Sequence, residues 1–158
     1  MVVGLTAGLI AFRRATSDDL ETIVALLAND PLGRERENVG SQLDSCYRDA
    51  FAAIEGDPNQ LLAVAERGGR VVGVLQLSFI PGLTRRGSWR GQIEGVRVAE
   101  DGRGHGIGRA LLQWAIEECR KRGCGLVQLT SDERRPDAHR FYEALGFRAT
   151  HRGYKLTL

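Results

Sequence analysis

The chain has little sulfur: three cysteines, Cys46, Cys119 and Cys124, in 158 residues. An odd number without paired spacing excludes a disulfide framework and a zinc ribbon. All three are expected as buried or half-buried thiols in a reducing cytoplasm. Charge of one sign is also lacking. With 22 basic and 20 acidic residues the formal net charge is +2, so bulk electrostatics gives no case for nucleic acid. His105, His139 and His151 show neither metal-ligand nor triad spacing, and no metal site is expected. No apolar run reaches the roughly 20 residues of a membrane span. The apolar start, MVVGLTAGLIAF, has its arginines after the apolar run rather than before it. It therefore reads as an extension, residues 1–8, and not as a signal peptide. Repeats, linkers and low-complexity tracts are absent too, which leaves one domain over residues 9–158.

What is present is ordinary globular material, 42% hydrophobic and 27% charged, enough for a real core. Residues 9–15 read as a strand. Thr16 or Ser17 with Asp18 and Asp19 then supplies an N-cap and acidic first turn for a helix running to about residue 28. A polar, turn-rich loop over 29–39 leads to a second helix over 40–55. Strands follow over 61–66 and 70–80, joined by a glycine-containing hairpin turn. The loop PGLTRRGSWRGQ is long for a compact domain, and Arg85, Arg86, Arg90 and Trp89 make it suspect as functional. A strand over 92–98, an amphipathic helix ended by Gly123, and the strand CGLVQLT come next. Pro136 opens a last helix and Gly146 closes it. A final strand pair is expected over 147–151 and 154–158. The order βαα-βββ-αβ-αβ indicates a mixed sheet with helices packed on it.

Between the strand and the amphipathic helix, Gly102, Gly104, Gly106 and Gly108 stand at every second position. Glycine there costs backbone entropy and packs nothing, so something must approach the main chain closely. A strand, glycine loop and helix form a general anion site of free N–H groups at the positive end of a helix dipole. A Walker loop needs Lys-Ser or Lys-Thr after its last glycine, and neither pair occurs in the chain. The dinucleotide pattern G-x-G-x-x-G fails in both registers, which reach Arg109 and Leu111. What remains is R-x-x-G-x-G, spelled by residues 103–108. IEGVRV leads into it, RALLQWAIEECRKRG follows it, and AHRFYEALGF lies downstream.

This combination resembles the GNAT superfamily of acetyl-coenzyme A-dependent N-acetyltransferases, over roughly residues 12–158 and most specifically over 93–147. The resemblance implies an α/β (α+β) fold with a mixed, mostly antiparallel sheet of six to seven strands flanked by about four helices. It implies acetyl-CoA as co-substrate, its pyrophosphate cradled by the amides of Arg103, Gly104, His105, Gly106, Ile107 and Gly108, continuing to Arg109. It also implies that Val96, Arg97 and Val98 pair with the pantetheine arm like an added strand, where neighbouring strands splay apart. One departure stands out. Many relatives have asparagine seven residues before the tyrosine of the last helix, and this chain has Arg135 there.

Acetyl transfer to an amine needs a base, an oxyanion donor and an acid for the leaving thiolate. A lysine-like ammonium is neutral in only about one molecule in 2,500 at pH 7, so a base is useful. Glu94 is the best candidate. Strand alternation sets it on the apolar side with Val96 and Val98, and a bulge at Gly95 would re-aim it into the cleft. A similar I-E-x-x-x-V strand in the glucosamine-phosphate acetyltransferase branch supports it, although Thr130 here replaces the aspartate that orients the amine in that branch. A backbone N–H of residues 96–98 meets the oxyanion. By the resemblance Tyr142 is the acid, although its helical stripe with Ala138, Phe141 and Leu145 is equally that of a core residue. The expected partner is an amine-bearing small molecule, bound by residues 29–39, helix two and residues 81–91, with no nucleic acid and no membrane, and a homodimer allowed. A protein N-terminal or lysine acetyltransferase, and a non-catalytic acetyl-CoA sensor, are the alternatives.

Overall fold

Apolar residues at every second position build a six-stranded sheet, in the order β1-β2-β3-β4-β5-β6. The computed structural model describes residues 2–5, 8–29, 33–40 and 43–158. The strands are β1 (Val2–Leu5), β2 (Gly8–Arg14), β3 (Gln60–Arg67), β4 (Arg70–Ile80), β5 (Trp89–Val98) and β6 (Cys124–Leu129). Neighbours from β1 to β5 pair antiparallel, and β5 with β6 is parallel. The helices are α1 (Leu20–Ala28), α2 (Ser45–Gly56), α3 (Thr84–Gly87), α4 (Ile107–Lys121) and α5 (Pro136–Glu143), of which α3 is a single irregular turn. The mixed, mostly antiparallel sheet flanked by helices agrees with the fold class expected from the sequence.

Period-two alternation gives the sheet two different faces. Leu61, Ala63 and Ala65 of β3 look to one side, joined there by Leu75, Leu77 and Ile93. The buried stripe of α4 lies over them, and Leu111 and Leu112 are completely buried. Each such leucine contributes about 1.5–3 kcal/mol. Phe12 and Trp114 stack across this contact with ring centroids 5.9 Å apart. Leu62, Val64 and Val74 look to the other side, under Leu20, Ile23 and Leu26 of α1 and Phe51 of α2.

The expected capping at Thr16 is present and larger than the pattern suggests. Asp19 Oδ2 accepts from the Thr16 N–H at 2.8 Å and from the Thr16 hydroxyl at 3.1 Å. Arg13 grips both oxygens of the same carboxylate, at 2.6 and 2.9 Å. A buried acid thus pins the start of α1 to β2, and Arg13 also reaches Glu66 of β3 at 2.9 Å.

Four expectations need correction. Within the supposed extension, residues 2–5 form strand β1, because the hairpin with β2 satisfies their backbone. Helix two starts at Ser45 and not at residue 40; the two residues of its expected first turn, 41 and 42, lie outside the described residues. Asn38 holds the approach as loop, its amide bonding Asp44 at 2.9 Å and its N–H bonding the Tyr47 hydroxyl at 3.0 Å. The final strand pair is absent: residues 147–158 contain no strand, and Tyr154, Leu156 and Leu158 are exposed. Alternation states which side a strand would bury, but a strand forms only where its backbone finds an edge. Cys46, expected at least half-buried, is exposed.

Candidate active site

The glycine loop divides its work. Gly102 is packing: a Cβ there would meet Ile107 Cδ1 at 2.9 Å and Val98 Cγ1 at 3.3 Å. Gly104 and Gly106 have φ of 77° and 81°, where a side chain is strained, and Gly106 is the N-cap of α4. Ala110 donates to the Gly106 carbonyl at 3.0 Å. The N–H groups of Ile107, Gly108 and Arg109 therefore lie in the first helical turn, where intrahelical acceptors are lacking. A Cβ on Gly104 would meet nothing within 4 Å. The loop is thus an open cradle of main-chain donors at a helix N-terminus, which suits a phosphate.

Two site residues expected on this loop spend their side chains elsewhere. Arg103 Nε donates to the Val98 carbonyl at 3.2 Å, and its Nη2 to the Asn29 carbonyl at 3.1 Å. Its own N–H bonds Glu100 at 3.2 Å. Arg103 therefore fastens the loop to the end of α1, a role its position in the sequence does not announce. His105 Nδ1 lies 2.9 Å from the Arg103 carbonyl, within the loop itself.

The cleft beside the loop follows from strand register. β5 pairs with β6 from Trp89↔Cys124 to Ile93↔Leu129, and there the pairing ends. Glu94, Val96, Arg97 and Val98 stay attached to the sheet only through β4. The edge of residues 94–98 turned towards β6 thus has no strand partner, and the Val96 and Val98 carbonyls accept from the side chains of Arg97 and Arg103. A β-bulge sits at this point, since Val74↔Arg97 is followed by Gln76↔Glu94. Gly95 has a φ of 62°, and a Cβ there would meet Leu27 of α1 at 3.7 Å.

The bulge overturns the placement of Glu94. One extra residue inverts the alternation. Val96 and Val98 pack with Ile93 against the α4 side, whereas Glu94 is exposed on the α1 side, across from Gln76. The apolar surroundings expected to desolvate it are not there. The same inversion sends the Arg97 side chain away from Val96 and Val98, with its Nη1 on the Val96 carbonyl at 2.9 Å.

Tyr142 keeps its place. It is half-buried on α5 among Phe141 and Phe147, with ring centroids at 5.4 and 6.1 Å. Burial pushes its phenol up, while Arg97 and Arg135 pull it partly back. The hydroxyl accordingly holds its proton at neutral pH. Tyr142 packs against the same cluster as Val96 and Val98, and Arg135 stands at the N-cap of α5. Sequence reasoning treated Arg97 as main chain only, and its parity hid the rest.

The arginine-rich hairpin falls away from the site. Trp89 pairs with Cys124 at the closed end of the β5–β6 contact. Five residues separate it from Glu94, about 17 Å at strand rise. Arg85 and Arg86 adopt left-handed φ of 53° and 61° on this exposed tip, and Trp89 packs on the core. Arg85, Arg86 and Trp89 therefore lie at the closed end of the β5–β6 contact, away from residues 94–98. Of the expected acceptor segment 29–39, residues 30–32 lie outside the described residues. Residues 29 and 39 flank a shallow cavity of about 430 Å³ against α1. Cys119 is buried beside Cys124 and its thiol is pushed up to about 12, which removes it from nucleophilic chemistry.

Comparison with known proteins agrees with this geometry. The family model described as acetyltransferase (GNAT) matches residues 23–147. The chain is 37% identical over 140 residues to an aminoalkylphosphonate N-acetyltransferase of Salmonella typhimurium, covering 88% of this chain and 85% of that protein. It is 43% identical over 90 residues to a glucosamine 6-phosphate N-acetyltransferase of Trypanosoma brucei brucei, 57% of this chain and 59% of the other. Among solved structures, a protein of Bacillus halodurans described as a transcriptional regulator superposes with a TM-score of 0.92 at 51% identity, covering 94% and 99% of the two chains.

Proposed function

The chain belongs to the acetyltransferase (GNAT) family, acetyl-CoA-dependent N-acetyltransferases, and from that premise we propose that its acceptor is the amine of a small molecule, acetylated in a ternary complex. The observation that carries the reading is the unpaired β5 edge running into the glycine cradle. When bound, acetyl-CoA supplies an activated acyl group at that edge. Gly104, His105, Gly106, Ile107, Gly108 and Arg109 then hold the pyrophosphate through main-chain N–H groups, and Arg103 ties this cradle to α1. Val96, Arg97 and Val98 pair with the pantetheine arm.

Glu94 takes the proton from the acceptor ammonium as the C–N bond forms. An exposed carboxylate suits this step once the acceptor covers it and excludes water. A backbone N–H of residues 96–98 steadies the oxyanion. Tyr142 delivers its proton to the departing sulfur as the C–S bond breaks. The small-molecule acceptor is supported by both named relatives, each of which acts on an amine that also carries phosphonate or phosphate. Arg97, on the Glu94 face of β5, and Arg135, at the N-cap of α5, are the cations suited to such an anion.

The test is thiol release from acetyl-CoA with a panel of small amines and, separately, with amino-terminal peptides. Release with small amines alone is expected. Release with peptides alone would move the acceptor to protein. Stabilisation by acetyl-CoA without release from any acceptor would leave a sensor domain.

A further inference from the structure

Past the apolar patch under α1 and α2, the same face of the sheet turns polar. Register sets Gln60 across from Ser78, Ser78 across from Gln92, Gln92 across from Gln128, and Gln76 across from Glu94. Cross-strand partners project to the same side, so Gln60, Ser78, Gln92 and Gln128 form one rung over four strands, with Gln76 and Glu94 on the next rung of the same face. This polar row is already linked. Ser78 Oγ and Gln76 Nε2 donate to Gln60 Oε1 at 2.8 and 3.0 Å, and Gln128 Nε2 donates to Gln92 Oε1 at 2.7 Å. Helices α1 and α2 pack on Leu62, Val64 and Val74 of this face. The five uncharged members are half-buried, and Glu94 is exposed.

These links leave hydrogen-bonding capacity over. The Gln60 and Gln92 amide nitrogens keep donors, and the Gln76 and Gln128 amide oxygens keep lone pairs. Long side chains lose up to about 2 kcal/mol of rotamer freedom when fixed, a cost that mutual hydrogen bonding meets before any ligand arrives. Donors and acceptors thus alternate along a floor that ends at the candidate base. Arg90 stands next to Gln92 on the same face and flanks the row, whose own uncharged members offer neutral donors and acceptors suited to hydroxyls.

We propose that this row is the floor of the acceptor subsite, and that it recognises the hydroxyl groups of a polyhydroxylated amine whose nitrogen reaches Glu94. The inference rests on the transferase reading only for the role of Glu94. Continuity with the bulge argues for a small molecule here rather than a second copy of the chain.

The probes are glucosamine and cyclohexylamine, a matched pair of six-membered rings with and without hydroxyls. In the coenzyme A complex, glucosamine should shift the side-chain amide NMR signals of Gln60, Gln76, Gln92 and Gln128, and cyclohexylamine should not. Gln92→Leu and Gln60→Leu should each lower kcat/KM for glucosamine about tenfold, mainly through KM, and cost cyclohexylamine far less. The melting shift caused by acetyl-CoA should survive in both variants, which reports their folding and the coenzyme site. Amide signals unmoved by glucosamine would overturn the proposal, as would equal losses for the two amines. A dimer dissociated by Gln92→Arg would also overturn it, because a second copy would then cover the row. Failure of the transferase reading looks different: neither amine would release thiol, whatever the amide signals do.

Discussion

The coenzyme side and the acceptor side of this cleft are built on different principles. On the proposed coenzyme side the binding groups are main chain, the N–H groups of residues 104–109 and the unpaired edge of β5. On the proposed acceptor side they are side chains, namely Glu94, Arg97, Tyr142 and the glutamine row. A backbone site writes its demands into sequence as glycine, because only glycine clears the ligand and accepts positive φ. A side-chain site depends on which way each residue points. That direction is fixed by register, and one bulge reverses it.

The largest expected effect breaks the coenzyme side alone. Gly106→Glu puts a side chain and a negative charge at a φ of 81° in the cradle. Acetyl-CoA at a hundredfold excess over its Kd should stabilise the wild type by about 2.7 kcal/mol. In the variant the melting shift should vanish, while the protein without ligand stays folded. An undiminished shift would remove the loop assignment.

Breaking the acceptor side should cost turnover and spare the coenzyme. Glu94→Gln is expected to lower the rate by about 10²–10⁴, the usual worth of a positioned base. Because the acceptor amine is already neutral at high pH, the loss should shrink from pH 6 to 9. A ratio of wild-type to variant kcat/KM that stays flat across that range would assign proton removal to water. Tyr142→Phe should cost less, about 10–10² in kcat, with acetyl-CoA affinity nearly intact. Since burial raises the phenol, the wild type should keep this acid through pH 9. An unfolded variant would identify Tyr142 as a packing residue.

The smallest effect sharpens the comparison from outside the cleft. Arg13 holds the Asp19 carboxyl at about 2, below its ordinary 3.8. With the folded value depressed, the stabilisation is complete above about pH 4 and is lost as pH falls towards 2. Arg13 is 37% exposed, so solvent screening reduces the contribution to about 1–2 kcal/mol. Asp19→Asn should lower the unfolding free energy at pH 7 by that amount and abolish the acid-dependent part. The melting shift caused by acetyl-CoA should be unchanged, since α1 begins far from the cradle.

Legibility in the sequence followed the same division. The cradle, the splayed edge, the Thr16 cap and the bulge at Gly95 were all expected, each from a local pattern with a local cause. The side chosen for Glu94 was wrong because the alternation was counted without the residue that the bulge adds. Arg85, Arg86 and Trp89 looked like an acceptor wall because the loop is long and cationic, yet register sets them at the closed end of β5. Residues 154–158 alternate as a strand would and form none. The glutamine row was invisible, since its members come from four strands and touch only across them.

By itself, then, the sequence determined the family, the helix caps, the apolar stripes and the glycine cradle. These depend on residues within a few positions of one another, where φ, capping and periodicity act directly. Tertiary structure alone decided where β5 and β6 part, which face Glu94 and Arg97 occupy, that Arg103 turns to Asn29, and that four glutamines share a surface. Those outcomes depend on pairing register between distant strands, and a shift of one residue exchanges the faces of everything beyond it.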